Sequence, residues 1–290
     1  MLMYRIYEEN LLYFDAAPKG PVPTLFDPDG IYPYESYVET AARPGQKAFR
    51  MISLENDLIK AVVCPDLGGK VFSLCIKSGE KEVLFDSGAV KPVRILPRMA
   101  FISGGIEVSF PISHTPSQLE PVWFQVKEQE GRLYVWMGET EVSYGMQWTL
   151  EFSLGGEDAF LTQRVLLNNP TAETHAYMSW SNAAVPARAD SMISYPAGEV
   201  LDHSRELSHI RWEGDVTNSQ FDRMHGFFWK SKDCNAFGVY TPSLGTGLYH
   251  IADEKEAPGM KLWLYGIGEE ERWAYQTALK KESYIEIQAG

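Results

Sequence analysis

The chain has 290 residues, of which 44% are hydrophobic and 22% charged, and a formal net charge of −13. That is the composition of a globular protein of one large or two modest domains. The acidic balance, with no Lys/Arg stripe, argues against a nucleic-acid partner, because a phosphate backbone would be repelled. No apolar run approaches the roughly 18 residues of a membrane span. The N-terminus lacks the layout of a secretory signal, so a cytoplasmic protein without a membrane partner is expected.

The first 48 residues form a zone of their own. Pro18, Pro21, Pro23, Pro28, Pro33 and Pro44 punctuate it, and Phe26, Tyr32, Tyr34 and Tyr37 are interleaved. A free linker would carry fewer aromatics, so residues 1–48 are expected to be an arm packed on a body of residues 49–290. From Phe49 onward the pattern is β. Strands are predicted over 58–63, 71–76, 83–85, 106–110, 123–126, 133–137, 148–154, 160–167, 176–181, 236–240, 247–251, 261–265 and 284–288. Turn residues such as Gly68, Gly69, Gly79, Gly155, Gly156 and Pro170 separate them. Within 160–167, Leu161, Val165 and Leu167 are expected to share a buried face while Thr162 and Arg164 point away. No stretch of a dozen residues has helical periodicity. So many short strands imply a large all-β sandwich, barrel or propeller, and the absence of a fixed repeat disfavours the propeller.

Cys64, Cys75 and Cys234 form no CxxC, and the six His are scattered with no HExxH or HxxEH spacing. Reduced thiols, no metal site and no cofactor are expected. No dense Asx loop suggests calcium, and no GxSxG, GxxxxGK[ST] or strand-linked GxGxxG is found.

The chemistry-bearing residues begin in the segment 98–116. Gly104 and Gly105 permit close approach of backbone or ligand. Glu107 follows, set on the opposite strand face from Ile106, Val108 and Phe110, and His114 lies just beyond Phe110 and Pro111. An acid among apolar residues is solvated, paired or functional; a strand corner whose Glu faces water is the plainer alternative. Lys91, Arg94 and Arg98 form the densest basic group, suited either to an anionic ligand or to a solvated loop. Asp202 and His203 follow an irregular Pro- and Ala-rich stretch. Trp180 and Asn182 share a strand face, a pairing that suits sugar C–H stacking and hydroxyl binding, unless Trp180 fills the core. Tyr284, Glu286 and Gln288 also share a face, lining a pocket or forming the wet side of an edge strand.

The order of these motifs resembles the galactose mutarotase-like superfamily. Asn56 and the Pro65-Asp66-Leu67-Gly68-Gly69 run are similar to its opening strand pair. The segment 103–111 is similar to the Gly-rich run of its glucose-6-phosphate 1-epimerase branch, with Glu107 where that branch has Pro. Segments 103–111, 180–182, 258–263 and 284–290 together resemble an uncharacterised domain family of the superfamily, often found ahead of TPR repeats. The resemblance implies an antiparallel β-supersandwich with a sugar site on a concave face. It implies Glu286 as the base at the anomeric hydroxyl and His203 as the acid at the ring oxygen. A second epimerase His, from an Asn-His-x-Tyr-Phe run, is not kept; Trp180 to Asn182 stand in the comparable region, a departure from simple mutarotation. Family members run on past the Glu-x-Gln strand, so the chain is expected to lack the last strands.

Three functions follow for a carbohydrate partner. The first is an aldose epimerase-like enzyme using Glu286 and His203. The second is a glycoside hydrolase using Glu107 and Glu286. The third is a non-catalytic sugar-binding module. Arg98, His114, Trp180, Asn182, Trp263 and Gln288 are the expected substrate-binding residues.

Overall fold

The computed structural model describes residues 1–20, 36–93, 101–112, 114, 116–204, 206–230, 234–268, 278–280 and 282–290. Strands and short 3-10 turns account for all regular structure among the described residues. The chain forms two compact units. Met1–Lys81, Gly88–Ser103 and Glu107–Ser179 make the first, and Glu82–Ser87, Gly104–Ile106 and Trp180–Gly290 the second.

In the first unit, β1 (Met3–Tyr13) pairs along its whole length with a later strand, from Met3 opposite Glu55 to Tyr13 opposite Gly45. After β2 (Ala16–Gly20) and β3 (Ser36–Thr40), that partner is β4 (Gly45–Glu55). β5 (Ile59–Cys64) and β6 (Lys70–Ile76) continue the sheet in antiparallel order. Beyond β7 (Lys81–Glu82) and β8 (Ile106–Ser109) come β9 (Trp123–Gln129), β10 (Arg132–Thr140), β11 (Gln147–Gly155) and β12 (Thr162–Asn168). These last four form a second antiparallel sheet in the order β12-β11-β10-β9. Alternation buries Leu133, Val135 and Met137 on β10 and Trp148, Leu150, Phe152 and Leu154 on β11. Phe49, Met51, Val62 and Cys64 pack with Leu67, Val90 and Ile102. Asn56 joins the β4–β5 turn to the turn after β11. Its Nδ2 donates to the Gly155 and Asp158 carbonyls at 2.8 Å each, while its Oδ1 accepts from the backbone N–H of Leu58 and Ile59.

The half-buried pattern expected for residues 160–167 does not occur. Val165 and Leu167 are each 36% exposed and Leu166 44%. β12 ends its sheet with β11 as its neighbour, and its apolar side chains stay partly exposed among the described residues.

The second unit holds β13 (Trp180–Pro186), β14 (Met192–Ser194), β15 (Gly198–Asp202), β16 (Ser208–Trp212), β17 (Val216–Thr217), β18 (His225–Trp229), β19 (Ala236–Thr241), β20 (Thr246–Ile251), β21 (Met260–Leu264) and β22 (Tyr284–Ala289). One antiparallel sheet runs β13-β22-β21-β18-β15-β16, and a smaller one runs β17-β14-β19-β20. Val185, Ile285, Ile287, Leu262, Leu264, Phe227 and Val200 of the first share a core with Ile193, Phe237 and Val239 of the second. Each such buried side chain stabilises by about 1.5–3 kcal/mol, which fixes which way the alternate residues point.

Residues 83–85, expected as a strand, are buried but irregular. Phe85 instead donates its N–H to the Ala184 carbonyl and accepts from Gly105 N–H. Gly104, at φ 83°, leaves the space in which the Phe85 carbonyl sits. The strand expected over 176–181 starts only at Trp180, and β1–β4, β7 and β14–β18 were not foreseen.

Candidate functional site

With Ile285, Ile287 and Ala289 turned into the core, Tyr284, Glu286 and Gln288 of β22 face the other side of the sheet. β22 lies between β13 and β21, so the edge-strand alternative for Glu286 does not hold. Cross-strand register assembles two rows on this face, because directly opposed residues point the same way. One row runs Asn182, Gln288, Lys261, Phe228 and Leu201. The other runs Ala184, Glu286, Trp263 and Gly226, and the His203 N–H donates to the Gly226 carbonyl at 3.0 Å. His203 and Glu286 are therefore three strand spacings apart, about 14 Å between backbones.

The polar side chains here are deeply placed: Asn182 is 4%, Glu286 6% and Gln288 1% exposed. Gln288 Nε2 donates to Glu286 Oε2 at 2.7 Å. Asn182 Oδ1, Gln288 Oε1 and His203 Nε2 have no hydrogen-bond partner among the described residues. Buried polar atoms are nearly always paired, so three unpartnered ones on one sheet face are unusual. Trp180 is half-buried and does not fill a core; Lys261 Nζ lies 4.8 Å from its ring centroid and 4.8 Å from that of Phe228. Trp263 meets Tyr265 at 4.6 Å and Tyr284 at 5.7 Å, and Phe85 and Ala184 complete this aromatic wall.

Burial lowers the pKa of His203, the nearby Lys261 charge adds to that shift, and Asp202 opposes it. Burial also lowers Lys261, against the pull of Glu286. For Asp202 burial acts upward, but hydrogen bonds from Ser204 and His225 outweigh it and hold the carboxyl below its usual range. His225 Nδ1 lies 2.9 Å from Asp202 Oδ2.

The first unit holds a different cluster. Glu107 on β8 is 4% exposed, which overturns the water-facing alternative. It accepts from Ser109 Oγ at 2.6 Å, and His114 Nδ1 stands 3.3 Å from both its oxygens. A proton on that nitrogen makes His114 the donor. Burial pushes the Glu107 pKa up, but His114, Lys70 and Ser109 together bring it below the ordinary value. Lys70, itself 6% exposed, donates to the Ile102 carbonyl at 3.0 Å. Leu67, Gly68, Lys70, Glu107, Val108 and Gln118 line a small pocket here. His114 has φ 53°, a left-handed conformation uncommon outside glycine.

Among the expected site residues, Glu286, His203, Trp180, Asn182, Trp263 and Gln288 thus share one sheet face of the second unit. Glu107 and His114 meet in the first, and Arg98 lies outside the described residues. Lys261 and Lys70 were not foreseen. Lys261 lies two positions before Trp263 in the strand predicted over 261–265, so alternation puts both on one face, and that was the available signal.

Residues 26–290 match the family described as "Domain of unknown function (DUF5107)". The chain is similar to a TPR-domain containing protein from Parabacteroides distasonis, with 50% identity and a TM-score of 0.94 over 100% of this chain and 51% of that one. It therefore spans about half the length of that protein. It is also similar to a Salmonella typhimurium protein provisionally described as a mutarotase, at 11% identity and TM-score 0.64, covering 83% of this chain and 82% of that one. A galactose mutarotase-like protein from Clostridium acetobutylicum matches at 14% identity and TM-score 0.55, covering 83% of this chain and 85% of that one. At such identities the last two speak for the fold alone, an all-β antiparallel supersandwich. The chain belongs to the DUF5107 family and has the galactose mutarotase-like fold.

Proposed function

We propose that the second unit's site acts at the anomeric centre of a sugar by general acid–base catalysis. The observation that carries this reading is the row that sets Glu286 and His203 on one sheet face, about 14 Å apart between backbones, with Trp263 and Gly226 between them. Trp263 is the floor on which a pyranose ring would stack. Glu286 takes the proton of the C1 hydroxyl. His203 delivers a proton to the ring oxygen, the C1–O bond opens to the aldehyde, and closure on either face reverses the steps. A depressed pKa makes protonated His203 a readier donor than a free imidazolium. Each partner supplies about 10²–10⁴-fold. Trp180 offers a stacking face, and the unpartnered oxygens of Asn182 and Gln288 accept sugar hydroxyls. The mutarotase description of the Salmonella protein supports the same chemistry.

The test is anomer exchange in aldoses, followed by NMR, for the wild type and Glu286→Gln. Equal rates end the catalytic reading, and binding at equal rates favours a sugar-binding module.

We also propose residues 1–48 as an arm on a 49–290 body; that this arm packs is supported by the full-length pairing of β1 with β4, a strand that itself crosses the boundary. A cytoplasmic location is supported by three free cysteines. Among the described residues no helix is long and apolar enough to cross a membrane.

A further inference from the structure

Lys261 is the group on this face that acid–base chemistry leaves without a task. Its ammonium lies between the rings of Trp180 and Phe228 and has no hydrogen-bond acceptor among the described residues. Holding a half-buried cation in this way is unfavourable, because the aromatic faces offset only part of the hydration it loses. It is also the one Lys or Arg in the four central strands β13, β22, β21 and β18. Its charge reaches both Glu286 and His203.

We infer that Lys261 is the specificity-determining contact for a carboxylate on the sugar, so the substrate class is uronic acids and not neutral aldoses. This rests on the reading of the face as a sugar site. In a uronic acid the carboxylate sits on C5, and C5 and C1 both bond the ring oxygen. With Glu286 at the C1 hydroxyl and His203 at the ring oxygen, the C5 substituent falls next to both, where Lys261 stands. Lys261 and the protonated His203 carry two positive charges against the one carboxylate of Glu286, so a monoanionic ligand brings the face to neutrality; a phosphate dianion would leave it with excess negative charge.

Isothermal titration calorimetry of the whole chain with matched pairs decides the matter: galacturonate against galactose and glucuronate against glucose, with galactose 6-phosphate as a third arm. The wild type should bind one of the uronates about 10-fold tighter than its neutral parent, the gain of a charge-assisted contact. Lys261→Met should erase that gap, whatever the level of neutral-sugar binding it retains, and Lys261→Arg should keep it. The wild-type comparison stands even if a variant fails to fold. Equal binding of acid and parent overturns the inference while sparing the sugar site. So does a gap that survives in Lys261→Met. Tighter binding of the phosphate overturns the carboxylate class. If no sugar of either kind binds, the sugar site itself fails and the inference with it.

Discussion

The imidazole of His203 rests on the bare backbone of Gly226: a Cβ there would come within 2.8 Å of His203 Cε1, and closer still to Nε2. Gly226→Ala should therefore push the ring out of its row while β18 keeps its pairing with β21. Anomer exchange should fall about 100-fold, as in His203→Ala. A Gly226→Ala protein with the wild-type exchange rate by NMR would show that this ring position does not matter.

His203 also predicts an acid-sensitive fold. Its folded pKa lies below the ordinary 6.5, through burial first, then Lys261, with Asp202 opposing. The unfolded chain takes up the proton more readily, so the stabilisation is complete above the unfolded value and lost as pH falls through it toward the folded value. Thermal melts between about pH 7.5 and pH 5 should show a steeper loss of Tm for the wild type than for His203→Gln. Parallel curves would contradict the assignment.

Glu107 behaves in the opposite sense to a group held neutral. Its carboxylate offsets the buried Lys70 charge and takes hydrogen bonds from Ser109 and His114. Glu107→Gln would remove the carboxylate charge that faces the buried Lys70 ammonium, which also donates to the Ile102 carbonyl. Urea unfolding at neutral pH should show a loss of about 3 kcal/mol. The folded pKa is depressed, so this stabilisation holds above the unfolded value of 4.5 and disappears as pH falls below it. The acid limb of the wild-type curve should therefore be the steeper one.

The Cys64 thiol is pushed up to about 12, chiefly by burial, with Asp66 adding to it. At mildly alkaline pH it is almost wholly protonated and shielded. Mass spectrometry after iodoacetamide treatment should find Cys75 and Cys234, both partly accessible, alkylated well before Cys64. Equal labelling would mean that this strand opens readily.

The β character of the chain was readable where alternation is clean. Tyr284, Glu286 and Gln288 interleave with Ile285 and Ile287, and the strand forms where that pattern lies. Reading failed where burial has another cause. Val83, Leu84 and Phe85 are apolar because they are covered, yet they reach Ala184 and Gly105 through single backbone bonds and not a ladder. β18 begins His225-Gly226, and glycine in a strand reads as a break until His203 is seen lying over it. Val165 and Leu167 mimic a core-facing stripe, yet each stays 36% exposed. Candidate residues could be named from their types and neighbours. The pairing of Glu286 with Trp263, and of Gln288 with Lys261, depends on register between strands more than twenty positions apart, which no local pattern encodes.

β22 follows every other strand of its unit along the chain, yet it takes a central place, hydrogen-bonded to β13 on one side and β21 on the other. During synthesis, a nascent chain still attached to the ribosome exposes two raw ladders until residues 284–289 emerge. The interior of this unit, and the acid it carries, can close only after the unit's last strand has left the ribosome, so the half-made sheet is the stage at which chaperones or wrong neighbours have their opening.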